Sequence, residues 1–523
     1  MSLFRSEELA IAEGLAGIGY CNPFLPERMA LEQHVLGEDY LPSPLIMSWR
    51  PTKSPVDNYP NFPRLCERAE RLTAALRSRL ISTHSFSSSE LRMYEDIVLY
   101  LLYSRYMPYL NEPLLPGATS GRKAAIAAVW KDFSKDFGHF LNLPERQFPS
   151  DYQPAHAFAV LVQLHRAFLG IYEYIIGGSM PIARLRAAVW QSVFSHDMRR
   201  YSRVLFRCLS DVPTLILGPS GSGKELVARA IGHSRFVPFD PKTKSFPEDQ
   251  FEDFHPLNLS ALAPTLIESE LFGHRRGAFS GAVGERAGWL EACSSSGTVF
   301  LDEIGDLEGG LQVKLLRVLQ TRVFQRVGET TGRTFSGKIV AATNRDLAVE
   351  IHEGRFREDL YFRLCADIIH TPTLREQLVE SPDDLATLVS FLTRRIIPDD
   401  PTESASLADE VVAWITANLD ENYTWPGNIR ELEQCARNVM IRGSYRPARD
   451  VTGQKESRGR LKLASMVANG ELDMDELIRH YTSLAFATHG NYAAAADHLK
   501  INWRTVRDKL DLGLVAEYRE QPQ

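Results

Sequence analysis

The sequence contains no CxxC pair: its six cysteines (Cys21, Cys66, Cys208, Cys293, Cys365 and Cys435) are scattered through 523 residues. Without the cysteine ladder that staples small secreted folds, a disulfide scaffold is excluded and reduced thiols in a cytoplasmic protein are expected. Charge of one sign is also lacking. With 59 basic and 66 acidic residues the formal net charge is -7, so the chain is no polycation and any nucleic-acid contact must come from a local basic patch. Long apolar runs are missing too. The most apolar helical stretch, DIVLYLLYSRYMPYL at 96–110, is cut by Arg105 and Pro108 short of the ~20 residues that a membrane span needs. The opening MSLFRSEELAIAEGL carries acidic residues where a signal peptide needs a basic start. A soluble protein that is neither exported nor membrane-bound is the expectation. There is no internal repeat and no long low-complexity tract. What is present is 44% hydrophobic residues, 10% of the chain being aromatic, enough for cores in about three domains.

Residues 1–180 read as a mainly α region with Pro- and Ser-containing breaks at 51–63 and 83–90. Tyr100, Tyr103, Tyr106 and Tyr109 recur at helical spacing; this suits either an aromatic-lined pocket or a core-facing stripe, and the stripe is the expectation. His156 and His165 lack cysteine or carboxylate neighbours at ligand spacing and read as ordinary packed or surface histidines. A break at GGSMP (177–181) reads as a linker. From 185 to 375 helical stretches alternate with the apolar runs TLILG (214–218), TVFLDE (298–303) and KIVAATN (338–344), the pattern of an α/β domain with a parallel sheet. Residues 376–442 are helical, 443–470 read as a polar linker, and 471–523 as a small all-α unit.

The run LILGPSGSGKELVARAIG places Gly218, Gly223 and Lys224 in GxxxxGK spacing between a strand and a helix. Glycines let backbone N–H groups turn toward phosphate oxygens, the helix N-terminus adds positive potential, and the lysine reaches the terminal phosphates. The loop Gly218, Pro219, Ser220, Gly221, Ser222, Gly223, Lys224 is therefore read as an ATP site. Glu225 stands where such loops normally place the Ser or Thr that ligates Mg2+. In GTVFLDEIGDL the strand ends at Asp302 and Glu303, suited respectively to hold Mg2+ through water and to orient the attacking water.

These residues resemble the bacterial enhancer-binding proteins, AAA+ activators of sigma-54 RNA polymerase, from about 185 to 440 and again from 473 to 511. GPSGSGKE is similar to the family's GESGTGKE, Glu225 included, and ESELFGHRRGAFSGA (268–282) is similar to ELFGHxxGAFTGA, the loop that touches sigma-54. The resemblance implies a sigma-54 contact at Gly277, Ala278, Phe279, Ser280, Gly281 and Ala282. Ser280 replaces the family's threonine, keeping a hydroxyl and losing a methyl. It further matches Asn258 to the asparagine coupling the strand-end glutamate, Glu303, to that loop, Thr343 and Asn344 to the first sensor, and Arg357 and Arg363 to arginines offered to a neighbouring subunit. Arg430, in YTWPGNIREL, matches the second sensor on a helical lid. The segment 234–256 is longer than the family's corresponding link and reads as a surface insertion.

Residues 475–511 divide into a helix, a break at Gly490, an Ala-rich helix, a turn near Lys500–Asn502 and a last helix, a helix-turn-helix pattern. Asn502, Trp503, Arg504, Thr505, Arg507 and Lys509 are placed to meet double-stranded DNA. Similarity to the Fis-type modules of the family implies that the first helix dimerises on a palindromic upstream site. The combined expectation is a multidomain activator: a mainly α N-terminal domain, an AAA+ P-loop ATPase with a helical lid, and an all-α DNA reader. It would assemble from dimer to hexamer and use ATP to remodel the sigma-54 RNA polymerase holoenzyme. Two rivals stand beside it, a DNA-binding regulator with a vestigial ATPase and an AAA+ remodeller of another substrate. The signal taken by residues 1–180 is not legible.

Overall fold

A computed structural model describes residues 2–42, 60–82, 86–118, 121–144, 146–150, 152–247, 251–279, 282–420, 423–447, 463 and 466–519. Most of the expected break at 51–63, part of that at 83–90, most of the linker at 443–470, and Ser280 and Gly281 lie outside the described residues. The chain forms two compact units, 1–445 and 446–523.

The N-terminal region is helical, and its periodicity explains why. In helix Phe62–Ser82 the buried residues Leu65, Ala69, Leu72, Leu76 and Leu80 repeat every three to four positions, one stripe of a 3.6-residue helix. Helix Ser88–Tyr106 starts at a capping box, the Ser87 hydroxyl accepting from the Glu90 N–H while the Glu90 carboxylate accepts from the Ser87 N–H. Helices Arg122–Leu141 and Pro154–Tyr174 add Trp130, Phe133 and Phe158 to the same core. The tyrosine stripe is only partly core. Tyr100 and Tyr106 are buried, Tyr103 is half-buried, and Tyr109, beyond the end of the helix, is 73% exposed.

Among the described residues nine short strands follow in the order β1 (Thr214–Leu217), β2 (Phe254–Asn258), β3 (Gly273–His274), β4 (Arg286–Ala287), β5 (Thr298–Asp302), β6 (Val323–Phe324), β7 (Arg333–Thr334), β8 (Lys338–Thr343) and β9 (Ile368–His370). Five form one parallel sheet ordered β2-β5-β8-β1-β9. β5 and β8 are almost wholly buried, which is why they read as continuous apolar runs instead of alternating ones. The pairs β3-β4 and β6-β7 are antiparallel and stand apart from this sheet. Helices Leu374–Glu380, Asp384–Ile396, Pro401–Asn418 and Asn428–Arg442 enclose a separate core that includes Leu388, Val411, Trp425 and Leu432. Among the described residues no helix is long and apolar enough to cross a membrane.

Two expectations are corrected. The break at 177–181 is no loose linker: Gly178 and Ser179 donate their N–H groups to the Asp384 carboxylate (2.7 and 3.1 Å), and Met180 donates to Glu380 (3.0 Å). Residues 1–180 and the α/β region therefore belong to one compact unit. The segment 234–256 is no surface insertion either. Val237, Phe239, Phe246 and Phe251 are buried in the core of the N-terminal helices, with the Phe239 ring centroid 4.7 Å from that of Trp130 and 4.8 Å from that of Phe158. Aromatics spaced through a polar stretch gain more by burial than the loop loses in ordering.

In the second unit, helix Met474–His489 opens on a capping box from Asp473 and Glu476. Helices Tyr492–Leu499, Trp503–Lys509 and Leu512–Arg519 follow, around a small core of Ala495, Ala496 and Val506.

Truncating Phe239 separates core from surface. Phe239→Ala is expected to lower unfolding stability by about 3–5 kcal/mol, measured from the urea midpoint. A surface aromatic would change it by no more than about 0.5 kcal/mol.

Candidate nucleotide and partner-contact site

The residues singled out in the sequence gather at the C-terminal edge of the parallel sheet. Leu217 at the end of β1 pairs with Thr343 at the end of β8, and Asn258 of β2 pairs with Asp302 of β5. The loop from Gly218 to Gly223 leads from β1 into helix Lys224–His233. Lys224 is buried, its ammonium donating to the carbonyls of Gly218 (3.0 Å) and Pro219 (3.1 Å). Burial lowers the pKa of this lysine, and the negative charges of Glu303 and Asp302 oppose that shift. Ser222 turns its hydroxyl inward, donating to the Pro219 carbonyl (2.8 Å) and lying 2.6 Å from the Thr371 hydroxyl. Glu225 is exposed and paired with Arg229 along its own helix (2.8 Å), so the position usual for a Ser or Thr ligand contributes none here.

Asp302 accepts from the Asn258 side-chain amide (3.2 Å) and from the Glu303 N–H (3.1 Å). Its pKa is raised by burial and then by the Glu303 charge, against the pull of Lys224. That is the environment of a carboxylate that a cation would stabilise. Glu303 is held in the left-handed backbone region at φ 55°, a conformation costing about 1–3 kcal/mol that the surroundings must enforce. Its carboxylate accepts from the Asn344 N–H (3.2 Å). Thr343 is buried, and its hydroxyl accepts from the Arg345 N–H (3.1 Å). Asn258 reaches Asp302 rather than Glu303, while its carbonyl oxygen caps the following turn by accepting from the N–H groups of Ser260 and Ala261. A pair of carboxylates beside the Lys224 ammonium fits Mg2+, which takes one or two protein carboxylates and keeps several waters.

The helical lid closes on the loop from the other side. The Arg430 guanidinium donates to the Ser220 hydroxyl (3.1 Å), and the Ile429 N–H donates to the Gly221 carbonyl (3.0 Å). A side chain at residue 221 would meet the Gly427 carbonyl oxygen at 2.2 Å, and the φ there is +75°, so only glycine fits. Asn428, buried and at φ 51°, donates to the Ser220 carbonyl (3.0 Å) and accepts from the Leu374 N–H (2.9 Å). Sequence reading missed Asn428, Thr371 and Gln312. Asn428 was legible in principle, since WPGN calls for an Asn that tolerates positive φ.

Arg357 and Arg363 are not brought to this site. Both are exposed on or beside helix Glu358–Leu364, and Arg357 chelates Asp359 (3.0 and 2.7 Å).

Phe279 lies in the segment that joins β3 to β4, which pair antiparallel. Gly277 is exposed, Ala278 and Phe279 are half-buried, and Ala282 is buried. The Phe279 ring lies edge-on to His274 at 5.0 Å. The Arg275 N–H donates to Val327, and the Val327 N–H donates to Gly273 (3.1 and 2.9 Å), which ties this loop to the β6-β7 hairpin. Arg326 reinforces the tie: 8% exposed, it makes a bidentate pair with Glu291 (2.7 Å on both arms) and also pairs with Glu285. In the second unit Asn502, Trp503, Arg504, Thr505, Arg507 and Lys509 are all exposed. The guanidinium groups of Arg504 and Arg507 lie over the Trp503 ring (5.7 and 5.6 Å), and Lys509 is drawn to Asp475 (3.1 Å).

Residues 193–370 match the family model described as the Sigma-54 interaction domain. Over 227 residues the chain is 43% identical to the Nif-specific regulatory protein of Azotobacter vinelandii, covering 43% of this chain and 39% of that one. Over 310 residues it is 36% identical to the transcriptional regulatory protein ZraR of Escherichia coli (strain K12), covering 58% of this chain and 63% of that one. The chain thus spans between 39% and 63% of the length of these relatives. Among solved structures, NtrX from Brucella abortus aligns with 76% of this chain and 87% of its own, at 22% identity and a TM-score of 0.39.

Asn428→Ala leaves the buried Leu374 N–H without its acceptor and forces alanine to positive φ. A stability loss of about 2–4 kcal/mol is expected, read by chemical unfolding. A loss below about 0.5 kcal/mol would show that the lid does not depend on this side chain.

Proposed function

We propose that this chain, which through residues 193–370 belongs with the sigma-54-dependent activators, is an ATP-driven remodeller of sigma-54 RNA polymerase that acts from upstream DNA. The observation carrying the reading is the convergence of Lys224, Asp302, Glu303, Asn344 and Arg430 on one edge of the sheet. Lys224 and the start of helix Lys224–His233 bind the phosphates of ATP. Asp302 holds Mg2+, which when bound neutralises phosphate charge. Glu303, oriented by the Asn344 N–H, positions the attacking water and takes its proton, with Thr343 and Asn344 alongside as sensor. Asn258 links Asp302 to the turn at 260–261 and so carries nucleotide state outward. Arg430 contacts nucleotide from the lid. Arg357 and Arg363, exposed and away from their own loop, serve the site of a neighbouring copy, which makes turnover depend on assembly into a ring. The Gly277–Ala282 loop, with Phe279 foremost, is pressed against sigma-54.

The second unit is read as a helix-turn-helix. The Asn502 side chain caps helix Trp503–Lys509, whose exposed Arg504, Thr505 and Arg507 suit the major groove of double-stranded DNA. Met474, Ile478 and Tyr481 are exposed along helix Met474–His489 at 72%, 38% and 51%. This apolar stripe suits pairing with a second copy, and hence a palindromic site.

Specific ATP turnover of the full chain is expected to rise with protein concentration, and Glu303→Gln to lower it about 10²–10⁴-fold. A rate per chain independent of concentration would overturn the ring, and full turnover in the variant would overturn the role of Glu303. Phe279→Ala is expected to weaken capture of sigma-54, in the presence of ADP and aluminium fluoride, by about tenfold or more. Undiminished capture would remove the loop assignment.

A further inference from the structure

Asp253 and His255 stand two residues apart at the start of β2, so their side chains leave the same face of the sheet. Phe254, between them, leaves the other face, where its ring stacks on that of Phe300 at 5.9 Å. Strand pairing fixes this register. The Thr298 N–H donates to the Asp253 carbonyl (2.9 Å), and Phe254 pairs with Thr298 at the start of β5. The short helix Trp289–Ala292 packs on the face that Asp253 and His255 share, with the Trp289 ring 5.0 Å from the imidazole, and it ends at Cys293.

One donor atom from each of Asp253, His255 and Cys293 lies within 4.8 Å of the other two, and among the described residues no other three metal-ligating side chains come together in this way. Tetrahedral Zn2+, bonded at about 2.0–2.3 Å, sets its ligand atoms about 3.3–3.6 Å apart, so side-chain shifts of about 1 Å close the set. Glycine makes the approach possible. A Cβ on residue 297 would meet Asp253 Oδ2 at 2.3 Å and Cys293 Sγ at 2.7 Å, and one on residue 337 would meet the same sulfur at 2.5 Å. The Asp253 carboxylate is held in place by the Ser294 N–H (2.8 Å) and lies 2.5 Å from His255 Nε2, which leaves it lone pairs to spare. The group is also within reach of solvent, since the Asp253 and His255 side chains are 11% and 17% exposed.

Sulfur, imidazole nitrogen and carboxylate oxygen together suit Zn2+ and its borderline neighbours, whereas Mg2+ and Ca2+ take oxygen ligands. Three protein ligands leave a fourth position for water. Binding exchanges the Cys293 S–H bond for a sulfur–metal bond and sends one proton to solvent, while the imidazole coordinates as a neutral ligand. Thiolate and carboxylate then cancel the two positive charges of the ion, as a half-buried cation requires. The two cations that act on this sulfur are drawn to other partners, Arg235 to the Ser295 carbonyl (3.3 Å) and Arg322 to Asp211 (2.8 Å).

We propose that Asp253, His255 and Cys293 form a Zn2+ site that staples the start of β2 to the segment leading into β5. The outermost position of β2 in its sheet gives the staple a purpose, because an edge strand is held by hydrogen bonds from one side only. Asp253 also ends the segment that carries Phe239 and Phe246 into the N-terminal core, so the ion fixes that segment where it joins the sheet. None of this depends on the nucleotide reading.

Titration of the chelator-stripped full chain with Co2+, in excess Mg2+ to occupy oxygen-only sites, tests the assignment. One equivalent of Co2+ gives the intense visible absorption of a tetrahedral ion together with a thiolate-to-cobalt band in the near ultraviolet, and one equivalent of Zn2+ abolishes both. Cys293→Ala loses the thiolate band. His255→Gln weakens Zn2+ binding about a hundredfold or more, read by competition with a chromogenic chelator. Zn2+ raises the unfolding temperature of the full chain and leaves that of Cys293→Ala unchanged. Absence of the thiolate band from the folded full chain, its persistence in Cys293→Ala, or an unchanged Zn2+ affinity in His255→Gln would overturn the site. Circular dichroism establishes that each variant is folded, and either variant alone decides the question where the other is not.

Discussion

Gly170 and His233 meet where there is no room for a methyl group, and the rest of the first unit depends on that approach. A side chain at residue 170 would separate helix Pro154–Tyr174 from helix Lys224–His233, and the Gly218–Gly223 loop leads into the latter. Burial on this scale is exacting. Arg166 and His233 sit in the same joint, with pKa values lowered by desolvation to about 9 and about 3. One terminal nitrogen of Arg166 and the Nε2 of His233 reach the backbone carbonyls of Arg235 and Leu114, the Arg166 Nε has no partner among the described residues, and the guanidinium lies 4.2 Å from the centroid of the Phe251 ring. Such directed contacts restrict the geometry of the joint, whereas a purely apolar interface would tolerate several. The segment 234–253 completes the joint by sending its aromatics back into the helical core. What reads as an insertion in the α/β region is thus a clasp that makes the N-terminal helices and that region one body.

A second joint of the same kind lies between the lid and the loop. Gly221 accepts the Gly427 carbonyl into the space of its missing side chain, and Asn428 bridges Ser220 to Leu374. Together with the Asp384 clamp on Gly178 and Ser179, this leaves the loop between two bodies, each held by backbone-directed hydrogen bonds. Displacement of the lid reaches the loop through the Ile429 N–H bond to Gly221 and through the buried Asn428 side chain, which grips backbone groups on both sides.

How much of this was legible in the sequence follows the range of the forces involved. Strands β1, β5 and β8 were readable because full burial on both faces makes continuous apolar runs. The placement of the Gly218–Lys224 loop between a strand and a helix, and of Asp302–Glu303 at a strand end, was readable because a glycine-rich turn and an acidic pair each directly follow an apolar run. The helices of the second unit were found to within a residue or two by Gly490, the Ala-rich stretch and the turn at Lys500. The helix Leu512–Arg519 was missed, since nothing punctuates it beyond Asp511. The burial of Phe239 and Phe246 was not legible, because their partners Trp130 and Phe158 lie about a hundred residues away and local periodicity carries no such information. The tyrosine stripe was ambiguous for a sound reason. Tyr100 and Tyr106 serve the core, yet Tyr100 also forms part of a cavity wall with Tyr103. Helical spacing reports which face is turned inward, without reporting whether that interior is filled.

Gln312 binds the chemistry of one site to the surface of the next in the proposed ring. It is fully buried, its amide donating to the carbonyls of Leu307 (2.7 Å) and Arg355 (2.9 Å) while its oxygen accepts from the Arg357 N–H (2.8 Å). Leu307 closes the short turn that begins at Asp302 and Glu303, and Arg357 begins the helix that presents both outward-facing arginines. That helix is itself anchored, since Leu360 and Leu364 are wholly buried. One glutamine therefore joins the segment that would orient water in a chain's own site to the segment that would place guanidinium groups in a neighbour's. A buried amide with three partners cannot shift one of them without straining the others. In the ring, a change at Glu303 on hydrolysis would then be felt as a change in how Arg357 and Arg363 are offered across the interface, so neighbouring sites would be mechanically coupled through a single side chain.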